Sequence, residues 1–281
     1  MFDLDAYLSR VGYDGPRAPT LALLRDLTAA HTQSIPFENL DVLLGRRIVL
    51  GIDAVFDKLV RQRRGGYCFE QNGLFLHVLT ALGFEARPLS ARVRIDRPRD
   101  ETPPRTHMFL RVEIDGASWL TDVGVGALSL TAPLRLMDGA SVQETPHEPR
   151  RLVREGEWQG LGLRSPGAKL YHQVLLDDSW QDICELTLEE MPEIDRVLGN
   201  WYTSAYPASH FKDRLLVALA TERGRKTLLN RRFTRRQGER AEVRELATPD
   251  ELCDVLAGEF GIRLPAGTRL DCAGLDWPAK G

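Results

Sequence analysis

No run of apolar residues in this chain approaches the eighteen or so that a membrane-spanning helix requires. The opening MFDLDAYLSRVGYDG carries early acidic residues and no apolar stretch of signal-peptide length. Both absences point to a soluble, cytoplasmic protein with no membrane partner. Cysteine is sparse: Cys68, Cys184, Cys253 and Cys272 stand far apart, with no CxxC pair. That spacing argues against a zinc or other metal centre, a redox dithiol or a disulfide framework, and favours reduced thiols. A charge excess is missing as well, because 37 Lys and Arg against 40 Asp and Glu leave a net charge of −3. No general attraction to nucleic acid follows from such a balance. Lysine is rare, with only positions 58, 169, 212, 226 and 280, which reads as a bias of composition rather than of function. There is no glycine-rich phosphate loop, no internal repeat and no low-complexity tract. The densest basic run, NRRFTRRQGER, reads as the solvated face of a hairpin.

What is present is an ordinary globular composition, 43% apolar and 27% charged, in 281 residues, enough for one large domain or two to three small ones. The first third is helical in period: FDLDAYLSRVG, TLALLRDLTAAHTQ with Leu21, Leu24 and Leu27 on one side, and CFEQNGLFLHVLTALGF ending at Gly83. The middle third alternates as strands do, in ARPLSARVRI, THMFLRVEI, ASWLTDVGV and SPGAKLYHQVLL. In the last third RLLVALATE and GRKTLLNRRF read as strands. TPDELCDVLAGEFGI reads as a helix, with Thr248 as N-cap, Pro249 at the first position and Glu251 at the third.

The stretch RRGGYCFEQNG places Cys68 where glycines end and a helix begins. A helix N-terminus favours a thiolate through its unpaired N–H groups, and Gly65 and Gly66 leave backbone amides free to face an oxyanion. A nucleophile needs a base, and His107 is the best placed of the histidines. A two-residue turn at Asp115-Gly116 would pair Ile114 with Ala117, Val112 with Trp119 and Leu110 with Thr121. His107 and Asp122 then share the opposite face, diagonal to each other, as a base and the carboxylate that orients it. A packed cysteine at a helix start, a polar strand-end histidine and a turn carboxylate are the plain alternatives, each acceptable alone and less so together.

SIPFENL, RGGYCFEQN, THMFLRV, WLTDVGVG and NWYTSAYPASHF, in this order and spacing, resemble the arylamine N-acetyltransferases over essentially the whole chain. The resemblance implies an α+β fold with a cysteine-protease-like (papain- and transglutaminase-like) core. Its parts are an N-terminal helical bundle over 1–85, a central β-barrel over 86–190 and a C-terminal α/β lid over 191–281. It implies Cys68, His107 and Asp122 as a catalytic triad and Glu38 with Arg64 as a structural ion pair. It suggests Tyr202 and Ser209 as neighbours of CoA, with Gly124 and Gly126 permitting close backbone approach to it. Phe37, Tyr67, Val125 and Phe211 are the candidate lining of the acceptor pocket. The family's usual DVGFG reads DVGVG here, so Val125 replaces an aromatic residue beside that pocket and reshapes it.

The expected chemistry is ping-pong transfer, with acetyl-CoA as co-substrate and no tightly bound cofactor. A Cys68 thiolate paired with His107 imidazolium takes the acetyl group and passes it to a small aromatic amine or hydrazine. Three other readings share these residues: an amide synthase using another acyl donor, a cysteine amidase or hydrolase, and a non-catalytic binding protein that retains the fold.

Overall fold

The computed structural model describes residues 1–277 apart from 138, 157, 160, 161, 164–167, 239 and 266. The first 81 residues hold five helices: α1 (Leu4–Val11), α2 (Leu21–Ser34), α3 (Leu40–Leu43), α4 (Ile52–Phe56) and α5 (Cys68–Ala81). A π-helical turn over Asp57–Arg61 prolongs α4. Local chemistry sets the starts. The Asp3 carboxylate accepts the Ala6 N–H at 3.1 Å and Thr20 Oγ1 accepts the Leu23 N–H at 3.3 Å, each satisfying an orphan donor of the first turn. Helix α5 is buried along most of its length, with Leu74, Phe75, Val78 and Leu79 inaccessible to solvent, so the other helices pack around it.

The strands run β1 (Phe37–Glu38), β2 (Glu85–Val93), β3 (His107–Ile114), β4 (Ala117–Thr121), β5 (Leu134–Arg135), β6 (Arg150–Glu155), β7 (Trp158–Gln159), β8 (Gly162–Leu163), β9 (Lys169–Leu176) and β10 (Ser179–Glu190). Helix α6 (Glu193–Ala205) leads to β11 (Leu216–Thr221), β12 (Gly224–Leu229), β13 (Arg232–Gln237) and β14 (Arg240–Glu245), and α7 (Pro249–Phe260) follows.

Seven strands form an antiparallel sheet in the order β5-β4-β3-β2-β10-β9-β6 that curls into a nearly closed barrel. Gln143 bridges its two ends. Its backbone pairs with Arg150 of β6, while its side-chain amide accepts from the Arg135 N–H at 2.7 Å and donates to the Arg135 carbonyl at 3.0 Å. Both faces of β3 are buried. Met108, Leu110, Val112 and Ile114 join the helical core, and Phe109 joins the barrel interior with Leu89, Ala91 and Leu120. The β3–β4 turn has Asp115 at φ 49° and Gly116 at φ 74°, the two left-handed residues of a type I′ hairpin. Leu110 accordingly pairs with Thr121, Val112 with Trp119 and Ile114 with Ala117.

Apart from the two-stranded pair β7-β8, the other sheet has the order β1-β11-β12-β13-β14, so two residues from the helical region edge a sheet built otherwise from residues 216–245. Phe260 of α7 packs edge-on against Phe233 of β13, ring centroids 6.1 Å apart. GRKTLLNRRF, a strand by its pattern, is a hairpin: β12 ends at Leu229, Asn230 turns with φ 54°, and Arg232 pairs back onto Leu229. The 165–167 part of SPGAKLYHQVLL lies outside the described residues, and the strand is described from Lys169.

Candidate active site

Cys68 is the first residue of α5 and is buried, 4% exposed. Two interactions hold the chain before it. The Glu70 carboxylate reaches back to accept the Tyr67 N–H at 3.1 Å, and Gln71 Nε2 donates to the Pro36 carbonyl at 2.8 Å and the Gly66 carbonyl at 3.2 Å. Gln71 is fixed in turn by His31, whose Nε2–H donates to Gln71 Oε1 at 2.7 Å while its Nδ1 takes the Tyr7 hydroxyl at 2.9 Å. The sharp approach of this loop to residues 36–38 explains Gly65, where a Cβ would lie 2.0 Å from the Pro36 carbonyl oxygen.

The thiol of Cys68 donates to the Thr106 carbonyl at 3.4 Å, directly before His107. Burial pushes this thiol well above its usual pKa, and Asp122 adds to that, while the backbone amides of Phe69 and Cys68 pull it down.

His107 begins β3 and Asp122 follows β4, and both are fully enclosed, 1% and 0% exposed. His107 Nε2 and Asp122 Oδ2 are 2.8 Å apart. With the carboxylate as acceptor Nε2 carries the proton, which makes Nδ1 the basic nitrogen of the neutral ring. The other carboxylate oxygen accepts from Asn72 Nδ2 and from the Gly124 N–H, each at 2.8 Å. Asn72 also donates to the Met108 carbonyl at 2.7 Å and accepts the Val123 N–H at 3.0 Å. It lies one helical turn after Cys68, so a single side chain ties the helix of the thiol to both strands that bear the histidine and the carboxylate.

Known proteins resemble this chain along nearly its whole length. The family profile described as N-acetyltransferase fits residues 20–269. The arylamine N-acetyltransferase of Mycolicibacterium smegmatis is 41% identical, over 99% of this chain and 96% of its own length. The chain belongs to the arylamine N-acetyltransferase family. Membership makes it an enzyme of the acyltransferase class. The Escherichia coli arylamine N-acetyltransferase is likewise 41% identical, over 92% of this chain and 88% of its own. Among solved structures, that of the M. smegmatis arylamine N-acetyltransferase superposes with a TM-score of 0.89 at 39% identity, covering 100% of both chains. That of the Mycobacterium marinum arylamine N-acetyltransferase in complex with CoA gives 0.84 at 40% identity, covering 92% and 93%.

In this arylamine N-acetyltransferase chain the proposed pocket residues fall into separate groups. Phe37, Tyr67 and Phe211 form one aromatic cluster, with Phe211 centred 6.3 Å from Phe37 and 5.7 Å from Tyr67. Tyr67 is enclosed and its hydroxyl donates to Asn200 Oδ1. Val125 packs instead on the barrel-interior cluster. Tyr202 stacks on Tyr206 and lines a cleft of about 280 Å³ with Ser90, Pro104, Thr106, Leu198 and Gly199. Thr106 is shared between that cleft and the Cys68 hydrogen bond. Ser209 is buried, its hydroxyl donating to the Thr203 carbonyl at 2.5 Å and accepting the Phe211 N–H at 3.3 Å, which fixes the turn presenting Phe211. Gly126 lies against the Phe37 ring. At Gly124 a Cβ would stand 2.7 Å from Cys68 Cα, so packing of the loop on α5 alone demands glycine there.

Arg64 Nη2 sits 2.7 Å from Glu38 and 3.2 Å from Asp41, and Lys58 Nζ joins Asp41 at 2.8 Å to Glu70 at 2.7 Å. This chain of five charges staples the loop before Cys68 to β1. Burial works against the Lys58 ammonium, but Glu70, Glu38 and Asp41 outweigh it and raise its pKa. Asn72, Gln71 and Thr106 are the site residues that sequence reasoning missed. The one signal for the first two was their polarity inside an otherwise apolar helix. Among the described residues no cluster of His, Cys, Asp and Glu is suited to a metal ion, and no helix is long and apolar enough to cross a membrane.

Proposed function

We propose that this chain transfers the acetyl group of acetyl-CoA to aromatic amines or hydrazines through an acetyl-Cys68 intermediate. What supports the reading most is the enclosed Nε2–Asp122 contact, which leaves His107 Nδ1 as the base beside the Cys68 strand contact at Thr106. The Cys68 thiol proton passes to Nδ1 as sulfur attacks the thioester carbonyl carbon. Collapse of the tetrahedral adduct expels the CoA thiolate, which recovers that proton from His107. The amine then attacks acetyl-Cys68, its proton goes to Nδ1, and Cys68 leaves to be reprotonated. The N–H groups at the start of α5 stabilise the oxyanion in both steps. Asp122 orients the ring throughout. Because burial raises the pKa of the thiol, its proton is transferred to His107 as the sulfur attacks.

The cleft at Tyr202 and Thr106 is the proposed approach to the sulfur, and the aromatic cluster of Phe37, Tyr67 and Phe211 the proposed acceptor wall. A complex with CoA in a relative of the same fold supports CoA as the donor. The test is intact-protein mass spectrometry after brief mixing with acetyl-CoA, then peptide mapping and a chase with aniline. One acetyl group on Cys68, discharged faster to aniline than to water, is expected. An unmodified Cys68 with no CoA released would sink the mechanism, and discharge to water alone would make the chain a hydrolase.

A further inference from the structure

The loop leaving the site, residues 122–131, begins at Asp122, carries Val125 and Gly126, and is held from beneath by charges the mechanism does not use. Arg150, 1% exposed on β6 of the barrel, donates from Nη1 to the Leu128 carbonyl at 3.1 Å. Arg225, 7% exposed on β12 of the other sheet, donates from Nη2 to the Ser129 carbonyl at 3.1 Å. One carboxylate joins them: Glu148 accepts from Arg150 Nη2 at 2.8 Å and from Arg225 Nε and Nη2 at 2.7 and 2.8 Å. Ser129 relays the hold to the site, since its hydroxyl accepts the Gly126 N–H at 3.0 Å. The Leu130 N–H reaches the Asp122 carbonyl at 2.9 Å. The neighbouring His147 adds a second strap, taking the Thr131 hydroxyl at 2.9 Å and donating to the Thr221 carbonyl at 2.7 Å.

We propose that Glu148 is a positioning residue for the acceptor side of the site, clamping Arg150 and Arg225 under the loop so that Val125 and Gly126 stand at a fixed distance from Phe37 and Cys68. Two buried arginines sharing one carboxylate are a costly way to stabilise a fold, because apolar residues of similar volume often serve as well. What the charges provide that apolar residues cannot is two directed donors on consecutive carbonyls, one from each sheet. The Asp122 side chain is held independently, by Asn72 and the Gly124 N–H. The clamp therefore governs the acceptor wall more than the triad carboxylate.

The proposal rests on the acetyl-transfer reading and is tested by measuring the two half-reactions separately in Glu148→Gln and Arg225→Lys. The second variant keeps the cationic charge and loses the two-pronged contacts, so it remains informative if the first fails to fold. The expected result is a rise of about tenfold in the aniline concentration giving half-maximal discharge of the acetyl-enzyme. Acetylation of Cys68 by acetyl-CoA should stay within about threefold of the parent. A fall of both half-reactions by one common factor would mark a merely structural role and overturn the proposal, as would an unchanged aniline dependence in a folded variant. A parent chain that never accepts the acetyl group overturns both this proposal and the reading beneath it.

Discussion

Asn72 spends every polar atom of its amide on the site, with two bonds from Nδ2 and one to Oδ1. Replacing it by alanine strands the Val123 N–H and removes one donor from Asp122. Each buried group left unsatisfied costs about 1–3 kcal/mol. Asn72→Ala is expected to lower acetyl transfer by about 10- to 100-fold, in the range typical of lost supporting-shell contacts, and to lower the melting temperature. Activity assayed with thermal unfolding checks it, and a variant with parental activity would show that Asp122 needs no such support. At this scale the sequence was most legible where residue type and spacing carry chemistry: Cys68, His107 and Asp122 stand out because a thiol, an imidazole and a carboxylate at these positions form a set. Asn72, Gln71 and Thr106 do not, since an amide one turn along a helix and a backbone carbonyl have meaning only through partners distant in sequence.

At Gly124 the loop after β4 meets the backbone of helix α5 directly. Gly124 lies so close to Cys68 Cα that a methyl group there must displace the helix start or the loop. Gly124→Ala is therefore expected to abolish transfer and to destabilise the fold by more than the roughly 1 kcal/mol of a typical substitution. Thermal denaturation and Cys68 acetylation together check this, and a stable, active variant would mean that the contact yields. Among elements, helices α1, α2, α5 and α7 and the β3–β4 hairpin were legible because their periods and the Asp-Gly turn are local signals, whereas α3, α4 and α6 went unread. The β12–β13 hairpin was not. Its turn is Asn230-Arg231 rather than Asn-Gly, and no glycine or proline interrupts the run from Arg225 to Gln237. Nor was β1, whose two residues show no period and become a strand only by pairing with β11.

The whole molecule encloses titratable groups that must stay in one state. Burial lowers His31 to about 4, the Gln71 hydrogen bond opposing in part, and drives His172 well below its usual range. Between pH 6.5 and about 4 the unfolded chain takes up a proton at His31 that the folded chain refuses. Stability is thus complete above pH 6.5 and falls as pH drops through that window, by about 3 kcal/mol at its lower end from His31 alone. Glu148 extends the same trend further down. Burial would raise its pKa, but Arg225 and Arg150 outweigh this and hold it at about 2, so its contribution is lost between about 4.5 and about 2. Melting temperature is expected to fall steadily from pH 7 to pH 5 and less steeply in His31→Gln. A flat profile would show that His31 is protonated in the folded chain. Over the whole molecule the α+β class was readable from changes of period along the chain and the central barrel from the family resemblance, whereas the part of Gln143 at its seam was not, because that side chain has meaning only through its partner Arg135.

That closure by Gln143 also bears on how copies of this chain behave toward one another. An uncovered strand edge is a template on which a second chain can add its own strand, the first step toward insoluble assemblies. The seam between β5 and β6 is where the barrel would offer such an edge, and there an amide side chain imitates a peptide group, giving and receiving a hydrogen bond at Arg135. The chain thus occupies its own vacant edge with one glutamine, and removing that side chain is expected to free the edge for a second copy.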